Sequence, residues 1–155
     1  MRSDVLIATR VTLTLLITAG ICQGDEKLVK YGDLPPAVRE TAEKASSGAI
    51  VKGYSKETHG GKTEYEVETI VDGKSRDISI DRSGKVIEVE QQISLSAVPA
   101  AAMAAIQKGA GDGSIQKVEE VKSDLETAYE AEILRHGKHR EIRVHADGST
   151  APEQN

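Results

Sequence analysis

Between Glu64 and Val71 apolar and polar residues alternate. Tyr65, Val67, Thr69 and Val71 fall on one side of an extended chain, and Glu64, Glu66 and Glu68 on the other. The run stops at Asp72-Gly73, a strong two-residue hairpin signal. Folding back there sets Val67 opposite Ile78 and Tyr65 opposite Ile80, so apolar residues meet on one face and fix the register. Asp81-Arg82-Ser83-Gly84 predicts a second turn, leading into a strand over 85–90. Ahead of the hairpin, 50–56 reads as a further strand.

The pattern changes period upstream. Leu34-Pro35-Pro36 opens a helix over roughly 35–47, since proline in the first turn gives up an N–H that had no partner. Val38, Ala42 and Ala45 form its inner stripe, while Arg39, Glu40, Glu43 and Lys44 face water. Gly48 is a suitable stop.

The same text returns 64 residues later. Thr63–Glu68 recurs as Thr127–Glu132, Gly73–Ile78 as Gly137–Ile142, and Pro35, Lys44 and Gly84 as Pro99, Lys108 and Gly148. A fixed offset of this kind predicts two copies of one structural unit. The second hairpin, around His136-Gly137, sets Ala131 against Ile142 and Tyr129 against Val144. Its preceding strand covers 115–122. Ser149-Thr150-Ala151-Pro152 stands where the last strand should repeat, but it is polar and broken by proline, which predicts a frayed tail. The expected fold is α+β, a tandem repeat of one helix packed on a small antiparallel sheet, with units at 25–91 and 92–155. The link from Gln91 to Ser96 is too short for a loose tether, so the units pack intimately, and one continuous sheet remains open. The second helix, 99–108, is apolar nearly all round. That predicts burial between the units, with a docking surface around Met103 as the alternative.

Leu34-Pro35, an alanine-containing helix, Tyr65-Glu66-Val67-Glu68, Asp72-Gly73 and Asp81-x-x-Gly84-Lys85 together resemble the PepSY-like domains, also described as beta-lactamase-inhibitor-like. Val98-Pro99, Tyr129-Glu130-Ala131-Glu132, His136-Gly137 and Asp147-Gly148 repeat the motif. The resemblance implies exported, non-catalytic domains, often in tandem, some with an inhibitory role toward proteases or beta-lactamase. The inhibitor's binding surface relies on aromatic residues and disulfide-braced loops. With no Trp or Phe and a single Cys, this chain offers no positions to which that residue set carries over.

The N-terminus has the order of a secretory leader: Arg2 and Arg10, an apolar run from Val11 to Cys22, then Gln23-Gly24-Asp25. Cleavage after Gly24 makes 1–24 a signal peptide; a retained anchor is the alternative. Lipidation at Cys22 is disfavoured because Ile21, not a small residue, precedes it. The remaining chain carries 18 basic and 24 acidic residues, a net charge of −6. Export places it in the periplasm or outside the cell. Such an acidic chain without stacking aromatics is poorly suited to nucleic acid.

Catalytic patterns are thin. No serine sits in a nucleophile elbow, and no phosphate-cradling glycine loop is present. His139 and His145 are six residues apart on one strand, about 20 Å, too far to share a metal with His136. No cofactor is expected. The carboxylates carry more information. Glu64, Glu66, Glu68, Asp77 and Asp81 share the outer face of the first hairpin, with Glu68 opposite Asp77 and Glu64 opposite Asp81. Opposed like charges repel, and a basic protein partner or a divalent cation such as calcium would relieve them. The second hairpin dilutes the charge: Glu130 faces Arg143 and Ala128 faces His145. The chain therefore reads as a non-enzymatic exported binding module, an inhibitor or regulator of a periplasmic or extracellular hydrolase. Its candidate contacts are Glu64, Glu66, Glu68, Asp77, Asp81 and Met103. The alternative is a cation-binding or envelope-sensing module using the same acidic face.

Overall fold

The computed structural model describes residues 27–59 and 61–152. The leader, its cleavage point and Cys22 lie outside the described residues. The chain runs β1 (Lys27–Leu28), α1 (Pro36–Ala45), β2 (Ile50–His59), β3 (Lys62–Val71), β4 (Lys74–Asp81), β5 (Val86–Gln92), α2 (Ala100–Ala110), β6 (Ser114–Ser123), β7 (Thr127–Arg135) and β8 (Lys138–His145). A short 3-10 turn precedes each helix, at Tyr31–Asp33 and Leu95–Ala97.

All eight strands form one antiparallel sheet in chain order. Both hairpins have the expected register: Val67 faces Ile78, Tyr65 faces Ile80, Ala131 faces Ile142 and Tyr129 faces Val144. Each turns through a residue at positive φ, Asp72 and His136 at 51°, followed by glycine.

The helices cover one face. Under α1, Val38 and Ala42 meet Leu34, Val67, Ile78 and Ile80. Under α2, Ala102, Ile106 and Ala110 meet Val118, Ala131, Ile133 and Val144. Each turn that follows β4 or β8 tucks beneath a helix. A Cβ added at Gly84 would lie 2.8 Å from the Ala37 carbonyl oxygen, and one at Gly148 would lie 2.7 Å from that of Ala101.

This architecture corrects the expectation of a tandem repeat of one helix on a small sheet. The described residues form mainly one eight-stranded sheet with two helices, a single domain. The joint is β5 with β6, paired from Glu88↔Ser123 to Gln92↔Glu119. Two separate small sheets would leave these strands as edges with unpaired backbone groups. Pairing them removes both edges. A second correction concerns α2, which lies on β6, β7 and β8 rather than between two units. Its outward Ala101 and Ala104 are exposed, and alanine there serves helix formation. A third concerns the tail. The Ala151 N–H donates to the Arg143 carbonyl at 3.1 Å, and Thr150 bridges Val144. Ala151 is buried with Val121 and Ala128, so 149–151 is pinned where fraying was expected.

Candidate functional site

The face opposite the helices is built by strand parity. Extended residues alternate sides, so fixing Val67, Ile78 and Val89 on the helix side puts Glu66, Glu68, Asp77, Glu88 and Glu90 on the other. The register carries this across the sheet. Glu68 lies opposite Asp77, and Asp77 opposite Glu90. Gln92 lies opposite Glu119, Glu119 opposite Glu130, and Glu130 opposite Arg143. The result is a field of carboxylates centred on the β5–β6 joint.

At its centre, carboxylate oxygens of Asp77, Glu90 and Glu119 all lie within 4.8 Å of one another. Glu119 is 3% exposed. It accepts from Ser75 Oγ at 2.9 Å and pairs with Lys117 Nζ at 2.8 Å. Beside this trio, Arg143 donates to Glu88 at 2.6 Å and lies 3.8 Å from Glu130. Two cations thus stand among many more carboxylates. Burial pushes the Asp77 carboxyl up to about 6, and the neighbouring Glu119 adds to it. Burial likewise pushes Glu130 up to about 7, with repulsion from Glu141 next and Arg143 opposing. Glu90 is driven far above the carboxylate range by burial and then by Glu130 and Glu119. Burying a charge without a partner is costly, so these groups favour the neutral form.

The predicted residues divide. Glu68 faces Asp77 and Glu64 faces Asp81, as the hairpin register requires. Asp77 sits in the trio. Glu64 and Asp81 instead line a depression of about 600 Å³ with Lys62, Ser79, Arg82 and Glu88. Asp81 also organises its own turn: its Oδ1 accepts from Ser83 N, Ser83 Oγ and Lys85 N at 2.8, 2.6 and 3.0 Å. Those bonds hold its carboxyl below the usual range, the Ser83 hydroxyl foremost. Met103 lies on the helix side, half-buried against the second core. It shares no surface with the carboxylates. Each described histidine beyond His59 pairs with a different carboxylate: His136 with Asp112, His139 with Glu132 and His145 with Glu126, at 3.0, 2.6 and 3.5 Å.

Sequence reasoning missed Glu88, Glu90 and Glu119. Glu88 and Glu90 were accessible only in part: the turn at Asp81–Gly84 returns their strand beside β4, but Glu90 comes opposite Asp77 through a register shift between Ser79 and Ile80 that has no sequence signal. Glu119 was not, because the β5–β6 pairing spans a helix and has no local signature.

No family model and no curated protein matches the chain, so the PepSY resemblance gains no support there. Solved structures do match. A candidate periplasmic protein of Bacteroides eggerthii aligns at TM-score 0.60 and 17% identity, covering 78% of this chain and 88% of its own. A DUF2874 family protein of Bacteroides ovatus aligns at 0.57 and 16%, covering 78% and 87%. A BLIP-like protein of Bacteroides fragilis aligns at 0.54 and 19%, covering 79% and 88%. At these identities the likeness is one of fold, and the chain is BLIP-like in fold.

Proposed function

We propose that the protein is an exported, non-enzymatic binding module of the periplasm that engages a basic protein surface through the acidic face of its sheet. One observation carries the reading: Glu68, Asp77 and Glu90 stand directly opposed on consecutive strands, beside Glu119 opposed to Glu130. Opposed like charges destabilise a sheet. Lys and Arg from a partner would convert that repulsion into complementarity, which favours specificity and rapid association. The non-enzymatic reading draws on the engagement of Glu119 by Ser75 and Lys117 and of Glu88 by Arg143. The periplasmic reading draws on the leader-like N-terminus and on the description of the B. eggerthii protein. Among the described residues no helix is long and apolar enough to cross a membrane. The partner class we propose is a periplasmic or extracellular hydrolase that this protein inhibits or regulates, a reading supported by its likeness in fold to a BLIP-like protein.

Titration with hexalysine, followed through backbone amide shifts, tests the reading. Salt-sensitive shifts confined to the outer face of β3 to β7 support it. Shifts on the helix side, or none, reject it.

A second reading, a divalent-cation or envelope-sensing module, is favoured by the 4.8 Å spacing of the Asp77, Glu90 and Glu119 oxygens. Calorimetric titration with calcium decides it: no heat and no thermal shift excludes the cation.

A further inference from the structure

β8 ends the sheet. Among the described residues only Thr150 and Ala151 pair along its outer side. Thr150 bridges Val144, and the Ala151 N–H donates to the Arg143 carbonyl. Backbone groups of an edge strand point outward at every second residue. His139, four residues before Arg143, therefore turns its own N–H and carbonyl to that side. Pro152, next in the chain, has no N–H with which to continue a ladder. An edge of this kind, here Lys138 to Ile142, is a template for another strand.

The first half of the chain shows what fits there. The bridge Val144↔Thr150 repeats Ile80↔Val86 at the 64-residue offset. In the first half the strand runs on, and Val89 comes opposite Ile78 and packs against the core under α1. In the second half the equivalent place, beside Ile142, is a depression of about 590 Å³ between α2 and β8, walled also by Ala105, Lys108, Gly109, Val144 and Thr150. Gly109 stands where the first helix has Ala45. A Cβ added there would lie 2.7 Å from Ile142 Cδ1. The offset assigns Glu153 to the position of Val89, an acid where the depression suits an aliphatic side chain.

Charge narrows the occupant further. Parity puts Lys138 and Arg140 on the helix side with Ile142. Lys108, near the end of α2, walls the same depression, and all three cations are exposed. A second copy offering the same edge would set Lys138 and Arg140 against their own kind, which repels. We propose that the Lys138–Ile142 edge receives an extended segment of another protein, antiparallel to β8, with an aliphatic residue opposite Ile142 and acidic residues opposite Arg140 and Lys138. Main-chain bonds give such strand addition its affinity, and the side-chain socket gives its specificity. The proposal does not rest on the engagement of a basic surface by the acidic face, which lies on the other side of the sheet.

The probe is the capped peptide Thr-Val-Thr-Glu-Thr-Glu-Thr, titrated into the isotope-labelled protein. Amide shifts confined to β8 and to α2 around Lys108 and Gly109, with slowed exchange of the His139 amide, support the proposal. No shifts at about 2 mM peptide, or shifts centred on β2 at the opposite edge, overturn it. Slow exchange of the His139 amide in the free protein also overturns it, since a second copy or the chain's own tail would then already cover the edge. Replacing the peptide's valine by aspartate should weaken binding about tenfold or more, and Arg140→Glu about fivefold. Gly109→Leu, which fills the depression, should weaken it as the valine replacement does. Equal binding by the aspartate peptide removes the socket and the proposal with it, and that comparison needs no altered protein.

Discussion

Arg143 on β8 donates to Glu88 on β5 at 2.6 Å, across the two strands between them. Neighbouring strands sit about 4.8 Å apart, so the pair spans a distance that requires both side chains to extend toward each other over the sheet. Between them on the same face lie Val121 of β6 and Ala128 of β7, both fully buried. The side chains of the pair are 7% and 12% exposed. The bond therefore ties the last strand to the joint strand and closes a polar lid over two small apolar residues.

Removing one partner should be far more harmful than removing both. Arg143→Leu strands Glu88 and Glu130 in a buried setting and should cost about 3 kcal/mol or more. Arg143→Leu with Glu88→Leu should recover most of that loss, because the desolvated charge goes with its partner. Urea denaturation of the single and double variants checks this. Equal losses in both would show that the pair acts only through packing.

Stability should fall as pH rises from about 5 to about 8. Asp77 and Glu130 have folded-state values raised to about 6 and about 7, so the folded chain holds their protons more tightly than the unfolded chain does. Such groups contribute fully below the ordinary carboxylate value, and the contribution is lost as pH climbs through the folded value. Exposed Asp81, Asp112 and Asp147 are held low by hydrogen bonds, Asp81 by Ser83, Asp112 by His136 and Asp147 by Ser149. Their contribution disappears only in stronger acid. A thermal midpoint that peaks in mild acid and declines toward alkaline pH is expected, and Glu90→Gln should raise it at neutral pH. A midpoint that rises steadily across this window would contradict the buried cluster.

Gly84 and Gly73 should respond differently to alanine. Both have positive φ, 89° and 79°. Gly73 faces open space, so Gly73→Ala costs only the backbone strain, about 1 kcal/mol. Gly84 also abuts the Ala37 carbonyl, and its own carbonyl accepts from Thr41 Oγ1 at 2.6 Å. Backbone cannot yield as a flexible side chain does, so Gly84→Ala should cost about 2 kcal/mol or more. Thermal unfolding of the two variants reads the difference.

The hairpins were legible because their information is local. Asp72-Gly73 and His136-Gly137 fix the turns, and the alternation around Tyr65 and Tyr129 fixes the faces. The union of the strands into one sheet was not legible, because Gln92↔Glu119 brings together residues separated by a helix. The acidic face was half visible for the same reason. Glu68 and Asp77 meet within a hairpin, whereas Glu119 reaches Asp77 only through the joint. The place of α2 was not legible either: its apolar circumference predicts burial between two units, whereas it lies on one part of the sheet with Ala101 and Ala104 exposed.

A single sheet predicts a single unfolding event. Tyr65 lies in the core under α1 and Tyr129 in the core under α2, and the chain has no Trp to obscure them. Two units joined only by a tether would melt separately. Here unfolding either core exposes the β5–β6 edge and strips Glu88 from Arg143, so each core's loss weakens the other. Ring resonances of Tyr65 and Tyr129, followed through a urea titration, should therefore disappear with one midpoint and one slope. Introducing Val121→Lys at the joint, where Val121 is fully buried opposite Glu90, should lower both midpoints together. Two midpoints in the unmodified protein would mean that the joint transmits no cooperativity, despite its continuous pairing.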